Sequence, residues 1–233
     1  MNPFIFIDPL YIIMIVPALA LAIYAQVKVK RTVRKYSRME SLSGMTGASA
    51  ARRILDGFGL TDVPVEQSKG WMSDHYDPKA RALRLSPEVY ATPSVAAVGI
   101  AAHEAGHAIQ HAQAYAPLKL RNAIVPTASI GSWLSFPMIF IGIIFQLESL
   151  AIVGLVLFAV LVVFQIITLP VELDASSRAK KLISDMGIIY SGDEREGVSK
   201  VLSAAAMTYV AATVTAIVEL LYFAIRLGLL GED

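Results

Sequence analysis

Four long apolar segments constrain the fold of this chain more than any other feature. They cover residues 10–29, 123–145, 150–169 and 207–230. Each is close to the ~20 residues that a helix needs to cross ~30 Å of hydrocarbon. The chain is 55% hydrophobic and 17% charged, whereas soluble domains are nearer 45–50% apolar and about 25% charged. The sequence therefore predicts a mainly α, four-span helical membrane protein.

The first apolar segment is predicted to be an uncleaved membrane anchor. No Lys or Arg precedes it, and it is too long for the apolar region of a signal peptide. The second and third segments are separated by residues 146–149 alone, so they should form a tight membrane hairpin. Pro126, Gly131 and Pro137 are expected to kink or interrupt its first arm.

The distribution of basic residues predicts the orientation. Of the 20 Lys and Arg residues, 19 lie from Lys28 to residue 122 or in residues 170–206. These are the two connections on one side of a four-span protein. The positive-inside rule places that side in the cytosol.

The remaining segments predict a small α+β cytosolic domain of the zincin kind. A helix is expected within residues 43–57, short strands in residues 63–67, 70–78 and 82–86, and helices beginning at Pro87 and after Ser94. The resulting division is an anchor (1–29), a cytosolic zincin-like part (30–122), a hairpin (123–169), a cytosolic helical segment (170–206) and a last span (207–233).

Composition excludes some kinds of site. The net charge is +1 and no basic face with interleaved aromatic residues is evident, so no nucleic-acid partner is expected. The chain has no cysteine, which rules out disulfides and thiolate metal sites. A transition metal would have to be bound by His, Asp or Glu.

One motif carries chemistry: His103-Glu104-Ala105-Gly106-His107. Two histidines four residues apart lie on one face of a helix, one turn apart, and can bind one zinc ion. Glu104 is rotated by about 100° from His103 and is predicted to be the general base for a zinc-bound water. Gly106 leaves room for a close neighbour.

His111 continues the four-residue spacing but is not expected to be a ligand. It lies ~12 Å along the helix axis from His103, too far for one tetrahedral ion. The third ligand is predicted to be Glu172, a carboxylate expected at the start of a helix after the third span. Asp174 is the alternative ligand, or else it orients one of the imidazoles.

The motifs also carry a family resemblance. The segments 74–78, 83–90, 101–110 and 172–176 closely resemble the YugP-like membrane zinc metallopeptidases of bacteria. The resemblance implies a neutral zinc endopeptidase-like activity, an integral membrane location and poorly defined substrates. The predicted substrates are peptides or membrane-protein segments, and the predicted location is the bacterial plasma membrane.

A more distant resemblance is to the HtpX-like and CAAX-prenyl-protease-like gluzincins. It implies that Glu172 is the third zinc ligand, because this residue matches the glutamate of their E-F-x-A-D segment. The Asp that ends that segment is Ser176 here, so Ser176 or Asp174 would have to replace it.

A peptidase also needs a substrate surface and an oxyanion donor. The strand at residues 82–86 could be an edge strand that binds an extended peptide, or a structural strand. His75, Tyr76 and Arg178 are candidate oxyanion donors. Glu219, within the last span, should face the bundle interior or lie near the interface.

Three functional hypotheses follow. The first is a membrane-embedded zinc endopeptidase that cleaves peptide bonds near the cytosolic face. The second is a non-catalytic membrane scaffold with a structural zinc site, which a closed four-ligand site would favour. The third, a transporter, is disfavoured because the spans show no inverted repeat. The sequence does not predict the oligomeric state.

Overall fold

A computed structural model describes residues 8–230 and confirms a mainly α-helical protein with four candidate membrane-spanning helices and a small sheet. In chain order its elements are α1 (Pro9–Tyr36), α2 (Gly47–Gly57), β1 (Val65–Gln67), β2 (His75–Asp77), β3 (Ala82–Leu85), α3 (Pro87–Ala91), α4 (Val95–Ala112), α5 (Ala116–Ile144), α6 (Glu148–Asp185) and α7 (Gly192–Arg226). The candidate spans are α1, α5, α6 and α7.

The chain divides into two compact units, each discontinuous in sequence. Of the described residues, the first unit takes 8–25, 120–170 and 208–230, and the second takes 26–119 and 171–207. The first unit contains most of each apolar segment. The second contains the sheet, α2, α3 and α4. The finer five-part division predicted above remains a prediction.

The first unit contains the predicted hairpin of α5 and α6. Two glycines allow close packing of its arms: a Cβ on Gly142 would lie 2.5 Å from Ala151 N, and one on Gly154 would lie 2.8 Å from Ile139 N. Large apolar residues remain exposed on its outer surface, among them Trp133 at 83%. Such a surface suits contact with lipid. The buried core contains Ile139, Ile143, Ala151, Leu155, Phe158, Val162, Ala216, Tyr222 and Phe223.

The prolines do not interrupt the helices, so the interruption expected from the sequence was wrong, whereas the alternative of a kink stays a prediction. Helix α5 runs through Pro126 and Pro137 without a break, and α6 runs through Pro170. Helices that cross lipid tolerate proline because leaving the helical conformation there would leave several more backbone groups without partners. Glu172 therefore does not begin a new helix, which corrects the sequence prediction: it lies within α6, two residues past Pro170.

The second unit contains a three-stranded sheet with the order β1-β3-β2. Strand β3 pairs in parallel with β1 and antiparallel with β2. Of the two alternatives for residues 82–86, the structure contradicts the edge strand and confirms the structural strand, because β3 has a neighbour on each side. Its side chains explain this position: Ala82, Leu83 and Leu85 are all buried, as is typical of a central strand.

Helix α4 is the buried centre of the second unit. Ser94 caps it by accepting a hydrogen bond from the backbone N–H of Ala97, as the sequence predicted. Its residues before the motif are small or apolar, and this composition lets α2, α3 and the sheet pack closely around it. The helix is therefore fixed on several sides, and its histidines have a rigid support.

Candidate metal centre

Helix α4 presents the two histidines of the motif side by side. The ring centroids of His103 and His107 are 4.7 Å apart, and the ring planes are inclined by 84°. His107 is buried and His103 is partly buried. The four-residue spacing thus brings two imidazole nitrogens to the same small volume, as a helix requires.

Glu172 of α6 supplies a carboxylate to the same volume. Its Oε2 lies 3.3 Å from Nε2 of His103 and 3.5 Å from Nε2 of His107. The residue is 2% exposed. One potential ligand atom from each of the three residues lies within 4.8 Å of the others. The structure therefore brings together the three residues that the sequence singled out as ligands, although Glu172 lies 65 positions after His107 and 69 after His103.

The distances between these atoms fit ligands that share one zinc ion better than they fit direct hydrogen bonds between the side chains. Charge-assisted N–H···O hydrogen bonds are about 2.7–2.9 Å long, shorter than either distance here. Ligand atoms at ~2.0–2.2 Å from one tetrahedral zinc ion would lie about 3.3–3.5 Å from each other. Two nitrogens and one carboxylate oxygen are also a common ligand set for catalytic zinc.

Gln110 fixes which nitrogen of His107 faces the carboxylate. The Gln110 amide donates to the carbonyl oxygen of Val171 at 2.9 Å and to Oδ2 of Asp174 at 2.8 Å. Both partners are acceptors, so the amide oxygen must point the other way, toward Nδ1 of His107 at 3.0 Å. Nδ1 therefore donates, and in the neutral ring the lone pair of Nε2 faces Glu172. That is the tautomer a metal ligand requires.

Burial and charge act in opposite directions on His107. Burial lowers the pKa of this imidazole, but the adjacent carboxylates of Glu172 and Glu104 outweigh that effect and raise the pKa above its ordinary value. The environment thus stabilises positive charge at this point. A divalent cation satisfies the same electrostatic demand.

Ser176 and Asp174 both lie beside the histidines, in different ways. The hydroxyl of Ser176 is 3.2 Å from Nδ1 of His103 and can accept its proton. Asp174 reaches His107 only through Gln110. Arg178 donates to Asp174 at 2.5 Å and to the side chain of Gln113 at 2.6 Å, so it anchors the outer end of this chain of hydrogen bonds.

Glu104 is held at the edge of the sheet. The backbone N–H of Tyr76, in β2, donates to Oε2 of Glu104 at 3.1 Å. Glu104 is 8% exposed. This contact orients the carboxylate with a single neutral hydrogen bond, which leaves its remaining lone pairs available to accept a proton from water.

The other predicted residues lie around the site. The hydroxyl of Tyr76 is 2.8 Å from Nδ1 of His111, so these two side chains hold each other. His75 is exposed, and its Nδ1 contacts the carbonyl oxygen of Ser73. Glu219 lies in α7, within the other unit.

Gly106 allows α6 to approach the motif. A Cβ at this position would lie 3.0 Å from the carbonyl oxygen of Ala175. This close backbone contact is what brings Glu172 and Ser176, on either side of Ala175, toward the two histidines. The prediction of a close neighbour at Gly106 is confirmed.

Sequence reasoning missed Gln110. It lies three residues after His107, a spacing at which helical side chains are neighbours. That spacing and its amide group were the available signals. A glutamine on a polar helix face is too common for them to stand out without the partner atoms of α6.

Comparison with known proteins gives two findings. Residues 11–228 match the sequence model of the family described as "Putative neutral zinc metallopeptidase". The chain is also 49% identical over 226 residues to the Bacillus subtilis (strain 168) protein named "Putative membrane protease YugP", a match that covers 96% of this chain and 99% of that relative. No solved structure matches the chain significantly.

Proposed function

The chain belongs to the family described as putative neutral zinc metallopeptidases, and from this membership and the site geometry we propose that it is a membrane-embedded HExxH endopeptidase of the gluzincin type. The observation that carries the proposal is the convergence of His103, His107 and Glu172 around a volume of zinc size. Membership confirms the resemblance predicted from the sequence and supports a zinc-protease assignment, and the name of the relative together with the four apolar helices supports a membrane protein.

The proposed zinc ligands are the Nε2 atoms of both histidines and a carboxylate oxygen of Glu172. A zinc ion bound there would make a water more acidic and polarise the carbonyl of the scissile peptide bond. Within the described residues 8–230 the cluster offers three protein ligands, so a tetrahedral ion keeps a fourth position for water or substrate. This count favours the catalytic hypothesis over a structural zinc site.

Glu104 is the proposed general base and then the general acid. It accepts a proton from the attacking water, so that the oxygen can bond to the carbonyl carbon. It then gives this proton to the leaving amine as the C–N bond breaks. The Tyr76 N–H supports this role because it orients the carboxylate without competing for all of its acceptor positions.

Strand β2 is the proposed docking edge for the substrate. It is an edge strand, and its backbone meets Glu104 on the side away from β3. An extended peptide that adds to this edge by main-chain hydrogen bonds would pass beside the base. Peptides or segments of membrane proteins are the substrates that fit this surface and the membrane location.

The active site is proposed to lie on the cytosolic side of the plasma membrane. Its residues lie in the two connections that hold 19 of the 20 basic residues. The positive-inside rule supports the cytosolic assignment of both.

The test compares the purified full-length protein with its Glu104→Gln variant. We expect both to contain one zinc per chain by metal analysis, and the variant to cleave a peptide library about 10²–10⁴-fold more slowly, the usual contribution of a general base. The assignment of Glu104 fails if the variant cleaves at the parent rate. The enzyme proposal fails if the zinc-loaded parent cleaves no peptide or membrane-protein substrate while its site proves to have four protein ligands.

A further inference from the structure

A second site-like feature lies in the same unit as the metal centre but uses none of its residues. It is a cavity of about 480 Å³ between the polar end of α1 and the first half of α7. We refer to it as the basic pocket. It is lined by Lys28, Arg31, Thr32, Lys35, Tyr36, Ser199, Lys200, Ser203 and Ala204.

The basic pocket concentrates positive charge and hydrogen-bond donors. Lys28, Arg31 and Lys35 are exposed and follow one face of α1, since residues three, four and seven apart share a helix face. Lys200 adds a fourth cation from α7 and forms an ion pair with Glu196, which offsets one of the four charges. Hydroxyl-bearing residues Thr32, Ser199 and Ser203 also line the pocket, and the Thr32 hydroxyl donates to the carbonyl oxygen of Lys28.

The pocket lies at the polar ends of two candidate spans. The apolar segment of α1 ends at residue 29, and that of α7 begins at residue 207. The ends of these segments meet, because Nζ of Lys28 is 3.7 Å from Sδ of Met207. A pocket at the polar ends of two spans is at the depth of lipid headgroups.

We propose that the basic pocket binds the phosphate-bearing headgroup of an anionic phospholipid from the adjacent leaflet. The cavity is within the roughly 300–1,000 Å³ of small-ligand pockets. Lys and Arg clusters beside a span attract anionic headgroups, and charged donors bind phosphate oxygens strongly. Val27, an apolar residue 40% exposed on α1, lies one turn before Arg31 on the same helix face and within the apolar segment, where acyl chains would lie.

The chain provides a matched control for this proposal. Lys30, Arg34 and Arg38 are also exposed and lie on or just beyond α1, but they do not line the cavity. Replacement of either trio with Gln removes the same net charge. Membrane orientation and general attraction to an anionic membrane depend on both trios. A specific site depends only on the trio that lines the pocket, which is Lys28, Arg31 and Lys35.

The experiment measures lipid binding to full-length protein in detergent by native mass spectrometry. Phosphatidylglycerol, phosphatidylcholine with the same acyl chains, and inorganic phosphate as a competitor are the probes. We expect the parent to bind one phosphatidylglycerol in preference to phosphatidylcholine. The variant K28Q/R31Q/K35Q should bind it on the order of 100-fold more weakly, at about five-fold per interfacial cation. The control K30Q/R34Q/R38Q should stay within about three-fold of the parent.

A second variant tests the pocket without any change of charge. Ser203→Trp places a large side chain at the cavity wall and should weaken phosphatidylglycerol binding at least ten-fold, with the thermal transition of the parent retained. Three results would overturn the proposal: equal loss of binding in both Gln trios, unchanged binding in Ser203→Trp, or displacement of the lipid by millimolar inorganic phosphate. The last would identify a site for free phosphate instead.

Discussion

Nδ1 of His107 and the side-chain oxygen of Gln110 lie 3.0 Å apart, and this hydrogen bond determines which imidazole nitrogen faces Glu172. The Gln110 amide is itself held by Val171 and Asp174 of α6. The orientation of a proposed ligand on α4 thus depends on acceptors from the helix that carries another proposed ligand.

Replacement of Gln110 by Leu should weaken zinc binding. The variant keeps the size of the side chain but loses the acceptor for Nδ1, and loss of such a partner typically costs 10–100-fold in metal affinity. A chelator-competition titration measures the effect. Gln113→Leu is the control, because Gln113 contacts Arg178 and neither imidazole. Equal affinities for zinc in the parent and in Gln110→Leu would refute the role of Gln110.

Replacement of Glu172 by Gln should lower the affinity for zinc at least 100-fold. A neutral amide then replaces the anionic ligand in a buried site. Zinc binding stabilises the folded state by mass action. Added zinc should therefore raise the Tm of the chelator-treated parent but not that of Glu172→Gln. Asp174→Asn discriminates between the two carboxylates: it should retain a zinc affinity within about ten-fold of the parent. If Asp174→Asn loses zinc and Glu172→Gln keeps it, Asp174 is the ligand.

Replacement of Gly106 by Ala should destabilise the protein by about 1–3 kcal/mol, the usual cost of overpacking. The new Cβ would lie 3.0 Å from the carbonyl oxygen of Ala175, and a backbone atom cannot rotate away. Thermal unfolding of zinc-free protein in detergent measures the change. Gly192→Ala is the control, since a Cβ there meets no atom within 4 Å. A parent-like Tm for Gly106→Ala would mean that α6 is free to move outward.

Asp74 should make stability depend on pH. Burial raises the pKa of this carboxyl, although the Ser86 N–H and hydroxyl oppose the shift. A carboxyl with a raised folded-state pKa stabilises the fold below its unfolded pKa of about 3.9. That stability is lost as pH rises through the folded-state pKa. The Tm of Asp74→Asn minus that of the parent should therefore increase from about pH 4 to pH 7.

Asp77 provides the contrast for this measurement. Its contacts with the backbone N–H of Ala80 and with Arg84 lower its pKa to about 2. The stability that Asp77 gives to the folded state is thus complete above its unfolded pKa and is lost only as pH falls toward about 2. The Tm difference for Asp77→Asn should be constant between about pH 5 and pH 7. A constant difference for Asp74→Asn as well would show that Asp74 is not destabilised by burial.

The sequence predicted most of the elements because their signals are local. Apolar length identifies the spans, Ser94 marks the start of α4, and the spacing of His103 and His107 identifies a metal motif. The wrong predictions concern relations between elements. Proline is unfavourable inside a helix, so Pro170 favoured a helix boundary, yet α6 continues through it.

The position of β3 and the role of Gln110 were equally beyond sequence reasoning. Residues 82–86 alternate in a way that suits an edge strand, and the order of strands depends on residues 65–67 and 75–77, which pair with β3 from both sides. Gln110 is informative only once Val171 and Asp174 are known to lie beside it. Such facts depend on tertiary packing, which one sequence does not display.

The order of the proposed ligands along the chain has a consequence for biosynthesis. His103 and His107 leave the ribosome before the hairpin of α5 and α6, whereas Glu172 lies in the second half of α6. A nascent chain that has not yet produced its hairpin holds two of the three proposed ligands. The proposed peptidase activity would therefore be withheld until the membrane segments between these ligands have been synthesised, so an unfinished chain could not cleave proteins around the ribosome.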